Sequence, residues 1–296
     1  MSAAAAGAAL DTNSRVTPIP IRAWRVVVVI FQILAIWLAA ILVMPWISPS
    51  RRDRMIARFA DRMLRGLGVR VRIRGTVLRA RSPMILVANH VSWLDPHLLN
   101  LVCRARFIAK REVASYPVFG TVVRQFGAIF IRRGCIRDAY RVKSEAAESL
   151  SNGQQVAFFP EGTTSSGDRI NYFYPALFQA AIDSGAGVQP IAIRWHHADG
   201  RLNLDAAFLG DMTLVESIVL LLKHRAIYAE VTLCEPIEAA GASRRELAHR
   251  TRAAIAEELK VEAFAARPRR MPWEDYVGDR PRDRETPASR SAVAAR

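Results

Sequence analysis

The stretch of residues 26–47 has 22 residues without a charged side chain, and Gln32 is its only strongly polar member. As an α-helix it would be about 33 Å long, which matches a bilayer hydrocarbon core of about 30 Å. Trp24 and Trp46 stand near its two ends, where membrane interfaces favour aromatic residues. The pattern predicts a membrane helix over residues 21–48 that either spans the bilayer or lies in one leaflet.

The segment that follows, from Arg51 to Gly75, is strongly basic. Its nine arginines and two aspartates give it a net charge of +7, almost half of the +15 of the whole chain. Apolar residues recur there at helical spacing, which predicts a basic amphipathic helix over residues 49–67 that binds anionic membrane lipid. The alternative is a helix packed on its own domain with a solvated basic face. Since the larger positive cluster follows the apolar stretch, we expect the domain after it on the cytoplasmic side of the inner membrane.

After Gly68 the sequence alternates between strand and helix signals, which predicts an α/β fold with a mixed, largely parallel sheet covered by helices. We expect one domain over residues 68–266, a disordered segment at residues 1–20, and another at residues 267–296, where proline and charged residues dominate. Strands are predicted over residues 69–74, 84–88, 128–131, 155–159, 188–193 and 227–233. Helices are predicted over residues 96–102, 118–126, 137–150, 176–183 and 244–264.

The apolar run Met84–Ala88 is followed at once by His90, with Asp95 five positions further on. Five positions along one helix place two side chains about 140° apart, so the chain must turn if these two are to meet. A histidine whose ring is oriented by a carboxylate is the base of a triad without the protein nucleophile. The attacking hydroxyl would then belong to the substrate. Alternatively, Asp95 merely caps a helix that begins near Pro96.

A second motif, residues 159–163 with the sequence Phe-Pro-Glu-Gly-Thr, ends another apolar run. Ligands gather at the carboxyl ends of the strands of a parallel sheet, so His90 and Glu161 are expected at one crevice. The alternative is an ordinary turn, because Gly, Pro, Ser and Thr are common turn residues.

These two motifs resemble those of the glycerolipid acyltransferase family, the 1-acylglycerol-3-phosphate acyltransferases. Residues 127–133, Gly-Ala-Ile-Phe-Ile-Arg-Arg, and residues 188–193, Val-Gln-Pro-Ile-Ala-Ile, resemble two further blocks of that family in the expected order. The resemblance spans about residues 69 to 235.

The resemblance implies that His90 deprotonates a lysolipid hydroxyl, which attacks the thioester of acyl-CoA or of an acyl carrier protein, while Asp95 orients the ring. It implies no metal and no cofactor beyond that thioester co-substrate. Many members have an arginine where this chain has Thr164, so other cations, including Arg132, would have to bind an acceptor phosphate. The residues expected to bind substrate are Lys110, Arg133, Glu161, Gly162, Thr163 and Thr164.

The expected reaction is acylation of 1-acyl-sn-glycerol-3-phosphate to phosphatidic acid in membrane phospholipid biosynthesis. Alternatives are acylation of another lysolipid, such as a lyso-ornithine lipid, and a membrane-bound thioesterase that activates water with the same pair. A serine hydrolase is disfavoured because the chain has no Gly-x-Ser-x-Gly sequence. A non-catalytic membrane scaffold is a further alternative. Nucleic acid is not expected as a partner, because the positive residues concentrate beside the apolar stretch.

Overall fold

A computed structural model describes residues 16–75, 83–132 and 135–264. The helices are α1 (Ile19–Leu42), α2 (Pro49–Gly66), α3 (Asp95–Val102), α4 (Pro117–Gln125), α5 (Ile136–Ser151), α6 (Gln179–Ser184), α7 (Leu214–Lys223) and α8 (Arg244–Leu259). The strands are β1 (Val69–Arg74), β2 (Met84–Ala88), β3 (Ala105–Lys110), β4 (Ile129–Ile131), β5 (Gln155–Phe158), β6 (Arg169–Ile170), β7 (Gly187–His196), β8 (Ile227–Leu233) and β9 (Glu262–Ala263). The termini predicted to be disordered lie largely outside the described residues.

Seven strands form the main sheet in the order β1-β8-β7-β2-β5-β3-β4. Only β7 and β8 are antiparallel neighbours, and every other adjacent pair in this sheet is parallel. The predicted α/β fold with a mixed, largely parallel sheet is therefore confirmed. Because β2 pairs with β5 on one side and β7 on the other, the carboxyl ends of these three parallel strands meet at one edge.

Helices cover both faces of the sheet. Residues of α2, α3 and α7 bury one face in a cluster that includes Leu98, and residues of α5, α6 and α8 bury the other in a cluster that includes Ile255. A third cluster joins α1 to α2 and α4 through Ile36, Ile56 and Val122. The first of the three clusters includes Val91, Leu94 and residues of α3, so it packs against the segment that follows His90.

Helix α1 is the one helix of the described chain long and apolar enough to cross a membrane, judged by length and composition. It also contacts the domain near both of its ends. Before its first turn, the Thr17 N–H donates to the carbonyl of Lys223 (2.9 Å), and the Arg25 guanidinium donates to the carbonyls of His224 and Arg225 (2.9 and 2.8 Å). The other end packs on α4, so α1 lies along the domain rather than extending away from it.

Several predicted boundaries were wrong. The first helix ends at Leu42, not near residue 48, because Pro45 in the following short 3₁₀ turn cannot continue an α-helix. The last helix ends at Leu259 rather than at residue 264, because Lys260 adopts a left-handed conformation (φ 55°). The strands β3, β6 and β9 and the helix α7 were not predicted, and β7 continues to His196, three residues beyond its predicted end at Ile193.

Candidate active site

The chain turns between the end of β2 and the start of α3, and this turn brings the imidazole of His90 to the carboxylate of Asp95. The His90 Nδ1 lies 2.8 Å from Asp95 Oδ2. Asp95 is fully buried, whereas 17% of the His90 side chain remains exposed. The second ring nitrogen, Nε2, has no hydrogen bond to the described residues, so it is left for an external group.

Asp95 is held by more than the histidine. Its Oδ2 also accepts the backbone N–H groups of Val91 (2.7 Å) and Ser92 (2.8 Å), and its Oδ1 accepts the indole N–H of Trp195 (2.8 Å). The helix-capping interpretation of Asp95 is wrong, because both backbone donors precede α3 and its N-cap residue, Leu94, makes no side-chain cap. Four donors on one buried carboxylate fix its position.

Glu161 links the second motif to the first through the backbone. Its buried carboxylate accepts the N–H of His90 on Oε1 (2.8 Å) and the N–H of Asn171 on Oε2 (3.2 Å). Burial raises the pKa of the Glu161 carboxyl to about 7, against the opposing effect of these hydrogen bonds. The carboxylate thus holds the His90 backbone rather than facing open solvent. Gly162, next to it, has φ +73°, a conformation that favours glycine.

The rest of the second motif packs against the first. The Phe159 ring stacks on the His90 ring with centroids 4.0 Å apart and an interplanar angle of 14°. The N–H of Ser165 donates to the His90 carbonyl (2.8 Å). The Thr164 hydroxyl donates to the carbonyl of Phe208, so it fastens the loop that follows Glu161 to the segment before α7. Thr163, which precedes Thr164 in this loop, is half-buried.

The structure gives positions for two of the three basic residues considered for phosphate binding. Lys110 ends β3, and it lies two strands from β2 at the same sheet edge, about 10 Å away at the usual strand spacing. Its Nζ is 3.9 Å from Glu112 Oε1. Arg132 follows β4, and its guanidinium pairs with Asp138 at 3.6 Å. Arg133 lies outside the described residues.

Two further residues, which were not predicted, belong to this site. Trp195 donates to Asp95 from the end of β7, and the signal for it was the alternation of Ile191, Ile193 and Trp195, which continues the strand to His196. Asn89, directly after β2, exchanges two hydrogen bonds with the backbone of Ile193 (2.9 and 2.8 Å). It thereby extends the pairing of β2 with β7 beyond Ala88 and positions His90.

Within the described ranges, no three His, Cys, Asp or Glu side chains form a group that could hold a metal ion. The side chains that the structure brings together at the site are one imidazole and the buried carboxylate hydrogen-bonded to it. Such an arrangement can accept a proton at Nε2 and stabilise the resulting imidazolium.

Known proteins are similar to this chain in sequence and in fold. The family profile described as Acyltransferase matches residues 70–194. A lyso-ornithine lipid O-acyltransferase of Pseudomonas aeruginosa is 35% identical over 204 residues, which are 69% of this chain and 78% of that protein. A 1-acyl-sn-glycerol-3-phosphate acyltransferase of Neisseria meningitidis is 37% identical over 153 residues, 52% of this chain and 60% of that one.

A crystal structure has the same fold. The 1-acyl-sn-glycerophosphate (LPA) acyltransferase PlsC from Thermotoga maritima superposes with a TM-score of 0.62 at 21% identity, covering 81% of this chain and 94% of that one. The shared features are an α/β domain and its mostly parallel sheet.

Proposed function

This chain belongs to the glycerolipid acyltransferase family and is a lysolipid acyltransferase, and we propose that His90 and Asp95 carry out its reaction. The observation that carries the proposal is the 2.8 Å hydrogen bond between His90 Nδ1 and Asp95 Oδ2. It keeps a proton on Nδ1 and leaves Nε2 as the basic nitrogen, on the one part of the pair that is not fully buried.

The reaction follows from that tautomer. Nε2 takes the proton of the lysolipid hydroxyl as its oxygen attacks the thioester carbonyl, and the C–S bond then breaks. The proton passes from the imidazolium to the departing thiolate, so the products are an ester and a free thiol. Asp95 stabilises the imidazolium between the two transfers. A base of this kind contributes roughly 10²–10⁴-fold to the rate.

For the acceptor, the proposal is a lysolipid without a phosphate, of the lyso-ornithine class. Two observations support it. Thr164 stands where a phosphate-binding arginine is common in the family, and its hydroxyl is engaged by the carbonyl of Phe208. A neutral, engaged hydroxyl cannot replace the bidentate contact of arginine with phosphate. The Pseudomonas relative that covers 69% of the chain is named for a lyso-ornithine lipid.

1-Acyl-sn-glycerol-3-phosphate is the second candidate acceptor, with phosphatidic acid as its product. The Neisseria relative carries that name, and Lys110 and Arg132 supply positive charge at the strand ends of the same sheet edge. The acyl donor in either case is a thioester of coenzyme A or of an acyl carrier protein, whose negative charge suits the basic chain.

A headgroup panel tests the acceptor. The purified protein is given one acyl thioester with lyso-ornithine lipid, 1-acyl-sn-glycerol-3-phosphate and a lysophospholipid, and kcat/KM is measured for each. We expect at least a tenfold preference for lyso-ornithine lipid. Thr164→Arg should raise kcat/KM for the phosphate acceptor, whereas Thr164→Val, the control that also frees the Phe208 carbonyl, should not. An equal or higher value for the phosphate acceptor in the unmodified protein refutes the assignment.

The thioesterase alternative is separated by product analysis. A transferase yields acylated lysolipid in proportion to the thiol released, whereas a thioesterase yields free fatty acid. Release of thiol at the same rate with and without lysolipid, and without ester formation, would overturn the reaction proposed for His90.

The proposed location is the cytoplasmic face of the inner membrane, with α1 embedded in one leaflet. The helix packs on α4 and α7 near its two ends, while Trp24, Phe31 and Trp46 are 67%, 70% and 85% exposed. A helix crossing the bilayer would draw those parts of the domain into hydrocarbon, so the contacts favour a helix parallel to the membrane surface. Engineered cysteines at the two ends of α1 should both react with an impermeant label from the cytoplasmic side only, and reaction of either end from the opposite side would contradict this placement.

A further inference from the structure

A groove of about 610 Å³ runs between α1 and α2, and it shares no residue with the site built around His90. Its apolar floor includes Phe31, Ala35 and Ile36 of α1 and Met55 and Phe59 of α2. We propose that this groove between α1 and α2 is a binding site for one molecule of an anionic glycerophospholipid. One acyl chain lies on the apolar floor and the phosphate lies against the arginine row described next.

Four arginines of α2 line one side of the groove. Successive members are three or four residues apart, so all four fall within an arc of about 80° on the helix. All are exposed, and none has a side-chain hydrogen bond or ion pair to the described residues. This contrasts with the neighbouring Arg52 and Arg65, which bond to the carbonyl of Met44 and to Asp61. The members of the row are Arg51, Arg54, Arg58 and Arg62.

Unpaired guanidinium groups beside apolar surface match the two halves of a phospholipid. Each basic residue near an anionic lipid surface contributes about 1 kcal/mol, and arginine binds phosphate through paired N–H donors. A free phosphate or nucleotide would leave the apolar floor uncovered. A second copy of the chain would bring an identical row of positive charge to this one, which disfavours a dimer at this face.

The shape of the groove depends on small residues. Ala35 and Ala39 are one turn apart on α1, and both line the groove. Larger side chains there would fill it while adding apolar surface to α1. Gln32 also lines the groove, and its buried Oε1 accepts no hydrogen bond from the described residues. A headgroup hydroxyl of a lipid such as phosphatidylglycerol is a suitable donor for that oxygen.

A discrete lipid site differs from general attraction to a charged membrane in two ways. It binds a defined number of lipid molecules, and it loses affinity when larger side chains occupy the groove. A surface that only attracts anionic lipid binds no defined number of molecules, and it gains affinity when apolar area is added. A groove that holds one lipid saturates at one molecule, and loses it when the groove is filled. The difference can be measured without the acyl-transfer reaction, so the proposal stands or falls separately from the proposed function.

Native mass spectrometry of the full chain in non-ionic detergent, titrated with phosphatidylglycerol, tests the proposal. We expect one molecule to bind in preference to further ones, and phosphatidylcholine to bind at least tenfold more weakly. The double variant Ala35→Phe/Ala39→Phe should lower phosphatidylglycerol binding at least tenfold. Its matched control, Val27→Phe/Leu38→Phe, adds the same apolar groups at exposed α1 positions outside the groove and should bind normally.

Charge variants test the arginine row in the same titration. Arg54→Gln/Arg58→Gln should weaken binding about thirtyfold, whereas Arg70→Gln/Arg72→Gln on β1 removes the same charge from the same basic segment and should have little effect. Glycerol phosphate, which lacks acyl chains, should not displace the lipid. Equal binding by the filled and unfilled grooves, or equal loss in the two charge variants, would overturn the proposal. So would loss of vesicle flotation by Ala35→Phe/Ala39→Phe, since that variant should float at least as well as the unmodified chain.

Discussion

The two oxygens of Asp95 receive different donors, and this makes the substitution Asp95→Asn informative. Oδ2 faces the His90 ring and two backbone N–H groups, and Oδ1 faces only the indole of Trp195. Asparagine has one acceptor oxygen and one NH₂ donor. If its oxygen stays with the backbone donors, its NH₂ is directed at the Trp195 N–H, and two donors then meet within about 2.8 Å.

The magnitude follows from that contact. A buried hydrogen bond to a charged group contributes roughly 1.5–3 kcal/mol, so Trp195→Phe alone should lose about that much, plus the cost of a smaller ring in the core. In the Asp95→Asn background the indole has no acceptor, so removing it costs only the smaller ring and relieves the donor conflict. The double variant should therefore be more stable than the sum of the single changes predicts, by about 2 kcal/mol.

Urea unfolding of the four proteins in non-ionic detergent, followed by far-UV circular dichroism, measures this coupling. Circular dichroism is preferred to fluorescence because Trp195 is itself replaced. Single changes that add to within about 0.5 kcal/mol would refute the reasoning, since independent sites behave in that way. Activity gives a second measurement. Trp195→Phe should lower kcat and leave KM nearly unchanged, because the indole acts on the base only through Asp95.

Three further outcomes are expected. His90→Ala should lower activity at least a hundredfold with an unchanged circular dichroism spectrum, and activity within tenfold of the unmodified protein would exclude this histidine as the base. The raised pKa of Glu161 means that the folded state binds its proton more tightly, so the free energy of unfolding should fall by about 3 kcal/mol as pH rises from about 4.5 to about 7. Urea midpoints at pH 5 and pH 8 measure this, and Glu161→Gln should remove the slope. Phe159→Leu removes the ring stacked on His90 and should lower kcat up to about tenfold; an unchanged kcat would show that the stacking does not position the base.

Much of the fold could be predicted from periodicity. The strands β1, β2 and β8 have the predicted bounds. The pattern of β1 is bounded by Gly68 and Gly75, and that of β2 by Pro83 and Asn89, so their ends are clear in the sequence. The missed strand β3 has no such pattern: all of its residues are half-buried, and arginine and lysine stand at two of its positions. The helix α7 begins with a Thr213–Glu216 capping box, a signal that the sequence did contain.

Within the site, the proximity of His90, Asp95 and Glu161 could be predicted because strand ends of a parallel sheet gather at one edge. The hydrogen bond by which Glu161 holds the His90 backbone could not be predicted. Whether a carboxylate faces a crevice or the backbone of a neighbouring strand depends on side-chain packing, and here it accepts the N–H of His90 itself. Trp195 was missed for a related reason, since its partner is 100 residues earlier in the chain.

The position of β1 in the sheet has a consequence for biosynthesis. In the main sheet, β1 lies at one edge and pairs only with β8, where Val69 faces Ile227. Val69 precedes its partner Ile227 by 158 residues, so β1 leaves the ribosome well before the strand that receives it. Until then β1 has no partner in the sheet, although α1 and α2 can already pack on α3 and α4. Early capture of those helices by lipid would keep the waiting strand close to the membrane and away from other chains until β8 arrives.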